Sequence, residues 1–146
     1  PFKLALSLNA TDETQRASLM PITKKYSIKD CLEVLKEYTD RSRKRVTLEY
    51  VLMAGTNDSP ADVRRLASFM KKLNCKLNVI PYNPVVGEPF KRPTVHQLEK
   101  FTSNVSGGRN MVTVRWSQGK DINAACGQLY VENVEKTVRN QTVVSA

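Results

Sequence analysis

The sequence predicts an α/β fold: a partial parallel (β/α) barrel, with about four strands and with helices on the outer face. Apolar residues alternate in segments typical of strands, and these are separated by i, i+3, i+4 stripes typical of helices, in the order β-α-β-α-β-α-β. The alternation leaves one sheet face polar, unlike a sheet covered on both faces. A length of 146 residues, 40% of them hydrophobic, suffices for one globular domain.

The first half of the chain supplies two strands and two helices. Residues 4–9 alternate as a strand, and residues 11–19 predict a short helix that ends before Met20-Pro21. A clearer helix follows the N-cap residue Ser27. Its apolar stripe consists of Ile28, Cys31, Leu32, Leu35 and Tyr38. Residues 46–53 alternate again and predict the second strand.

The second half continues the alternation. Ser59-Pro60 supplies an N-cap followed by a proline at the first helical position, and the helix after it buries an apolar stripe. That stripe consists of Val63, Leu66, Ala67 and Met70. Residues 76–82 predict the third strand, and a long proline-rich loop follows it. Thr94 caps a helix that runs to about residue 105, and residues 111–116 predict the fourth strand.

The polar face of the predicted sheet is the first functional signal. Its side chains are Ser7, Asn9, Glu49, Asn78 and Arg115. The opposite, helix-facing side carries Leu48, Tyr50, Leu77, Val79, Val112 and Val114. Burying a polar group without a partner costs about 1–3 kcal/mol, so we expect the polar face to line a wet or ligand-filled cavity. The alternative is that these are ordinary hydrogen-bonded side chains of a sheet.

The carboxyl ends of the strands are the second signal, because ligands of parallel α/β folds bind beyond them. Four segments lie there, at residues 7–9, 55–58, 81–84 and 117–129. Serine and asparagine can hydrogen-bond a ribose hydroxyl or an amino-acid head group. For Asn57 and Asp58, a role as turn residues is the favoured interpretation.

Cys126 differs from the other two cysteines, because it lies among small residues outside any apolar stripe. With Arg115 and Lys120 nearby in sequence, its thiol could act as a nucleophile or covalent carrier, and a plain structural cysteine is the alternative. Cys31, Cys75 and Cys126 are too widely spaced for a metal site, so none is predicted, and an unpaired set favours a reducing compartment.

The net charge of +9, from 23 basic and 14 acidic residues, favours a polyanionic partner such as nucleic acid. No apolar run is long enough to span a membrane, so no membrane association is expected. A second hypothesis is a non-catalytic RNA-binding module. Its basic residues would be Arg41, Arg43, Lys44 and Arg45, with Lys91-Arg92. A solvated helix-to-strand connection is the alternative for the first run.

Six separated segments resemble the carboxy-terminal half of the RlmN/Cfr family. They are residues 4–10, 19–26, 46–52, 55–59, 78–84 and 121–129, the last reading DINAACGQL. Members of this family are radical S-adenosylmethionine enzymes that methylate an aromatic carbon of adenosine in ribosomal RNA. The resemblance implies that residues 1–129 are the carboxy-terminal part of a radical SAM core domain, in the cytoplasm or an organelle. Residues 130–146 are expected to be a disordered tail.

The resemblance also implies the site residues. Ser7, Leu8, Asn9 and Asn83 are expected to contact S-adenosylmethionine, although many family members have histidine where this chain has Asn9. Cys126 is expected to accept a methyl group. A second S-adenosylmethionine then yields the radical that takes hydrogen from that methyl, and the carbon passes to the adenine ring.

The family's CxxxCxxC motif, its resolving cysteine and its glycine/glutamate cofactor segment belong upstream of the equivalent of Pro1. The ligands of the [4Fe-4S] cluster are therefore expected outside this sequence, and the isolated chain is expected to be inactive. The implied partner is ribosomal RNA, with transfer RNA as a further candidate. The strand at residues 4–9 would be an unprotected edge, prone to pair with a second copy of the chain.

Overall fold

The computed structural model describes residues 3–116. Within that range the elements are β1 (Ala5–Ser7), α1 (Glu13–Leu19), a 3₁₀ helix (Pro21–Lys24), α2 (Ile28–Ser42), β2 (Val46–Leu52), α3 (Pro60–Lys72), β3 (Cys75–Pro81), α4 (Val95–Ser106) and β4 (Val112–Val114). Their order matches the predicted alternation. Cys126 and the predicted tail at residues 130–146 lie outside the described residues, so the domain boundary stays a prediction.

The strands form one parallel sheet in the order β1-β2-β3-β4. Helices cover one face, because the buried core joins strand side chains to the apolar stripes of α2, α3 and α4. Leu48 and Leu77 are fully buried on that face, and the ring of Tyr50 stacks on Phe101 of α4 with centroids 5.8 Å apart. This arrangement confirms the predicted α/β partial-barrel architecture with helices outside.

The helices α2, α3 and α4 begin at the N-caps that the sequence predicts. The side chains of Ser27, Ser59 and Thr94 each accept a hydrogen bond from the backbone N–H three residues later, at 3.0, 3.2 and 3.2 Å. Each cap satisfies one of the N–H groups that a helix start leaves without an intrahelical partner. The caps therefore set the residue at which each of these helices begins.

Both outer strands are shorter than predicted. β1 ends at Ser7 because Asn9 adopts a left-handed conformation (φ 56°), which takes the chain out of the sheet. β1 is an edge strand of the described sheet, as expected, and its pairing with a second copy stays a prediction. Within residues 3–116, no helix is long and apolar enough to cross a membrane.

Candidate functional site

A row of polar residues crosses all four strands on the face opposite the core. In the strand register Ser7 lies beside Glu49, Glu49 beside Asn78, and Asn78 beside Thr113. Side chains alternate between the two faces of a sheet, so this row points away from the buried Leu48 and its neighbours. The structure therefore places the polar face where the sequence predicts it.

Part of this face is satisfied within the sheet. The hydroxyl of Thr113 donates to the amide oxygen of Asn78, and the guanidinium of Arg115 lies 3.9 Å from a carboxylate oxygen of Glu49. The alternative interpretation, ordinary hydrogen bonds within the sheet, therefore holds for Asn78. Ser7 is exposed at the end of its strand, where its hydroxyl can meet a ligand.

Asn9 and Leu8, two of the predicted cofactor contacts, are held by the sheet. The amide oxygen of Asn9 accepts the Val51 N–H at 3.0 Å, and its amide nitrogen lies 3.4 Å from the Met20 sulfur. Asparagine tolerates the left-handed conformation that this position requires. Leu8 is fully buried, and its backbone N–H and carbonyl are already paired with Glu49, Ala10 and Arg16, so it supports the segment from the core. Ser7 is thus the residue of this segment whose side chain is exposed to solvent.

Arg16 is a site residue that sequence reasoning missed. Its side chain is 3% exposed, and it donates to the backbone oxygens of Leu8 at 2.9 Å and Ser7 at 3.1 Å. It also donates to the Thr23 hydroxyl at 3.0 Å and the Tyr26 carbonyl at 3.4 Å. One guanidinium thus ties the end of β1 to the 3₁₀ helix and the residues that follow it.

Asn57 is a second residue whose role the sequence underestimated. It is fully buried, and its amide nitrogen donates to the carbonyls of Asn9 at 2.9 Å and Val51 at 2.7 Å. Its amide oxygen accepts the Met53 N–H at 2.8 Å. Asp58 behaves as predicted for a turn residue, because its carboxylate accepts the Gly55 N–H at 3.0 Å. The Asn57 side chain therefore holds the end of β2 against the segment after β1.

Asn83, which follows β3, is half-buried with its amide oriented by a neighbour. Its amide oxygen accepts a hydrogen bond from the Arg92 guanidinium, which leaves the amide N–H groups to donate to a ligand. The loop that carries Arg92 is anchored where the Ala54 N–H donates to the Lys91 carbonyl at 2.9 Å. Tyr82 packs edge-on against Phe90, with ring centroids 5.8 Å apart.

The structure brings the described site residues to one edge of the sheet. Residues 7–9 and Asn83 both lie at the carboxyl ends of their strands, separated by β2. Two strand spacings amount to about 10 Å. A ligand that touches both segments must therefore lie across the end of β2.

The two basic segments of the RNA-binding hypothesis lie far apart in the fold. Residues 41–45 lead into the start of β2, whereas Lys91 pairs with Ala54, beyond its end. The seven residues of β2 separate them by about 23 Å, at about 3.3 Å per residue. The two segments therefore lie at opposite edges of the sheet.

The described cysteines, Cys31 and Cys75, are free and half-buried. Among residues 3–116, no group of three or more histidine, cysteine, aspartate or glutamate side chains could hold a metal ion. Burial raises the pKa of the Cys75 thiol to about 11, and the Arg45 guanidinium partly opposes that rise.

We expect Cys75 to resist alkylation in the folded protein. Because its pKa is raised to about 11, the thiol is protonated near neutral pH, and the thiolate is the reactive form. Iodoacetamide labelling at about pH 8 should be slow in buffer and fast in urea, where the thiol pKa returns to about 8.5. Native labelling should rise about tenfold per pH unit between about pH 8 and 10. Peptide mass spectrometry reads the site, and equal rates in buffer and urea at pH 8 would contradict this expectation.

The same shift predicts a pH dependence of stability. The folded state disfavours the Cys75 thiolate. The free energy of unfolding therefore keeps the full contribution of this residue below the unfolded pKa of about 8.5. That contribution is lost as the pH rises from there through the folded value of about 11.

Comparison with known proteins finds relatives that are named RNA methyltransferases. No protein-family model matches the chain. The "Dual-specificity RNA methyltransferase RlmN" of Lawsonia intracellularis is 43% identical over 127 residues, which are 86% of this chain and 35% of that protein. The protein of the same name from Desulfosudis oleivorans is 45% identical over 126 residues, 86% of this chain and 34% of that one. The chain is homologous to the RlmN proteins.

The solved structures agree with the RlmN homology. A radical SAM methyltransferase from Sphaerobacter thermophilus matches with a TM-score of 0.81 at 41% identity, over 86% of this chain and 37% of that one. A domain of pyruvate-formate lyase-activating enzyme from Bacteroides vulgatus matches at 14% identity with a TM-score of 0.62, which shows the shared fold alone. The RlmN resemblance and the partial-barrel fold are thereby confirmed, and this chain spans about a third of the curated RlmN relatives it matches.

Proposed function

We propose that this chain supplies the S-adenosylmethionine contacts and the methyl-carrying cysteine of a radical SAM RNA methyltransferase. The observation that carries the proposal is that residues 7–9 and Asn83 lie at the same, carboxyl-terminal edge of the sheet, in a chain homologous to RlmN proteins. The acceptor is an adenine carbon of 23S ribosomal RNA in the cytoplasm, and transfer RNA is a further candidate substrate.

The described residues fit an S-adenosylmethionine molecule lying across the end of β2. The exposed hydroxyl of Ser7 can hydrogen-bond a ribose or an amino-acid head group, and the amide N–H groups of Asn83 can donate to a heterocycle. Leu8 supports this segment from the core, because the whole residue is buried. When bound, the cofactor supplies the methyl carbon and the source of the radical. Arg16 and Asn57 hold the segments that receive it.

Cys126 is the residue to which we assign methyl transfer. With the cofactor bound, the Cys126 sulfur would lose its proton and take the methyl carbon, and S-adenosylhomocysteine would be the leaving group. The resulting thioether is the form in which the carbon reaches the RNA. This role rests on the resemblance of the segment DINAACGQL, residues 121–129, and on the placement of Cys126 among small residues.

The described residues do not fit an iron–sulfur cluster, because no cluster-like group of ligands occurs among residues 3–116. We propose that the [4Fe-4S] ligands belong to a part of the protein outside this sequence and that the 146-residue chain alone is inactive. Anaerobic reconstitution of this chain with iron and sulfide should load no cluster. A stable cluster that cleaves S-adenosylmethionine would disprove the inactivity.

The experiment that tests the methyl-carrying role is mass analysis of the complete protein, purified after expression with its cluster intact. The tryptic peptide that carries Cys126 should be heavier by one methylene, and the label should come from methyl-labelled S-adenosylmethionine. Cys31 and Cys75 serve as internal controls and should carry no label. A Cys126→Ala protein that still methylates RNA would overturn the role.

We expect Arg92 to act on cofactor affinity through Asn83. Arg92→Met and Asn83→Ala should each raise the Kd for S-adenosylmethionine about fivefold, as expected for one hydrogen bond worth about 1 kcal/mol. Because the guanidinium orients the amide, the double variant should bind about as weakly as Asn83→Ala alone. Calorimetric titration of the complete protein gives the three constants. Additive losses would show that the two residues act independently.

A further inference from the structure

The amino-terminal edge of the sheet carries basic side chains that the candidate site does not use. We define the amino-edge surface as Arg43, Lys44, Arg45, Lys71, Lys72 and Arg109. All six are exposed. They lie at the ends of α2, α3 and α4 or in the connections that follow, which return the chain to the starts of β2, β3 and β4.

Two contacts, one between backbone groups and one between side chains, join these three connections into one surface. The Val46 N–H at the start of β2 donates to the Asn74 carbonyl before β3, at 3.1 Å. The guanidinium of Arg45 crosses to the Met111 sulfur before β4, at 3.2 Å. Three neighbouring strands span only about 10 Å, so basic groups that are distant in sequence lie side by side.

The charges of the amino-edge surface are not neutralised within residues 3–116. None of the six residues forms an ion pair with a carboxylate in that part of the chain. Nearby acidic groups have other partners. The Asp40 carboxylate accepts a hydrogen bond from the Lys36 ammonium at 2.7 Å, and the Glu37 carboxylate accepts one from the Arg41 guanidinium at 3.1 Å. The surface therefore presents a concentrated positive field to solvent.

Arg43 has a backbone conformation at the end of α2 that favours glycine over arginine. Arg43 is the C-cap of α2 and adopts a left-handed conformation, with φ 58° and ψ 10°. Glycine is preferred there because a Cβ is unfavourable in this region. What arginine adds at this position is its charge.

We propose that the amino-edge surface binds the phosphate backbone of RNA, and this rests on the proposed function. Exposed, unneutralised Arg and Lys groups bind phosphates without reading bases. The surface lies at the opposite end of β2 from the cofactor edge, about 23 Å away. It therefore contacts RNA that flanks the modified adenosine, and it holds a structured substrate rather than the reacting base.

The test measures binding of a fluorescein-labelled RNA hairpin to the complete protein by anisotropy, between about 50 and 200 mM KCl. Arg43→Gly removes one charge and relieves the left-handed backbone. It should weaken binding about threefold to tenfold and lower the salt slope by about one. The pair Lys71→Gln and Lys72→Gln should lower the slope by about two. Lys29 is an exposed lysine in the first turn of α2, so Lys29→Gln is the control. It should change neither the RNA affinity nor the salt slope.

Arg43→Gly should unfold at or above the wild-type temperature, which separates lost binding from lost structure. Wild-type affinity and salt slope in both surface variants would overturn the proposal. It would also fail if the variants lost binding to phosphatidylserine vesicles while RNA binding was unchanged. Methylation of RNA by variants with unaltered RNA binding would retain the proposed function and reject the surface. Hairpin binding that depends on the amino-edge surface, in a protein that transfers no methyl group, would retain the surface and reject the proposed function.

Discussion

Arg16→Met should lower the free energy of unfolding by about 3 kcal/mol or more. Methionine keeps much of the length of the side chain but offers no donor to the carbonyls of Ser7 and Leu8 or to the Thr23 hydroxyl. The Leu8 carbonyl keeps its hydrogen bond from the Ala10 N–H at 2.8 Å, whereas each buried acceptor left without a partner costs about 1–3 kcal/mol. Urea unfolding of the complete protein, followed by hydrogen exchange of the segment around Leu8, measures both the loss and its location.

Two variants make the Arg16 prediction specific. Arg64→Met removes an exposed arginine of α3 and should change the free energy of unfolding by less than about 0.5 kcal/mol. Arg16→Lys keeps the positive charge but not the fork that reaches several acceptors, so its stability should lie between wild type and Arg16→Met. An Arg16→Met protein that unfolds at the wild-type urea concentration would contradict the assignment.

The effect of Arg16 on the site follows from which atoms it holds. The guanidinium fixes the backbone carbonyl of Ser7, whose side chain is the open group of the predicted cofactor segment. In Arg16→Lys, the free energy of binding S-adenosylmethionine should therefore weaken by more than the free energy of unfolding falls. Calorimetric titration with S-adenosylmethionine, set beside the urea curves, separates the two effects.

The strand and helix pattern could be predicted because it depends on neighbours in sequence. Alternation identifies Leu48 and Leu77 as core residues, and both are fully buried. A serine or threonine before an apolar stripe identifies a helix start, as at Ser59. The extent of β1 was overestimated, because the pattern does not show that Asn9 leaves the strand through a left-handed conformation.

The residues that support the site could not be predicted, because their partners are distant in sequence. Arg16 lies among polar residues in a seven-residue helix, where a solvated arginine is the ordinary expectation. Its burial depends on the 3₁₀ helix folding back to bring Thr23 against it. Asn57 has the composition of a turn residue, and only the pairing of β1 with β2 reveals that its amide faces Asn9.

Asn57→Ala should lower the free energy of unfolding by about 4 kcal/mol. The truncation leaves the Met53 N–H and the carbonyls of Asn9 and Val51 without their buried partner, at about 1–3 kcal/mol each. Tyr50 also donates to the backbone oxygen of Asn57 at 2.7 Å, and burial raises the pKa of Tyr50, so it stays protonated and keeps that bond. The loss should therefore fall on the side-chain contacts alone.

The adjacent residue provides the matched control. Asp58→Ala removes a turn hydrogen bond to the exposed Gly55 N–H and should cost less than about 1 kcal/mol. In Asn57→Ala the Val51 N–H should exchange faster, because Asn57 no longer holds the backbone carbonyl of Asn9, whose side chain accepts that N–H. Mass-resolved hydrogen exchange over residues 46–58 tests this. Equal losses in the two variants would mean that Asn57 acts only as a turn residue and does not join β2 to the predicted cofactor segment.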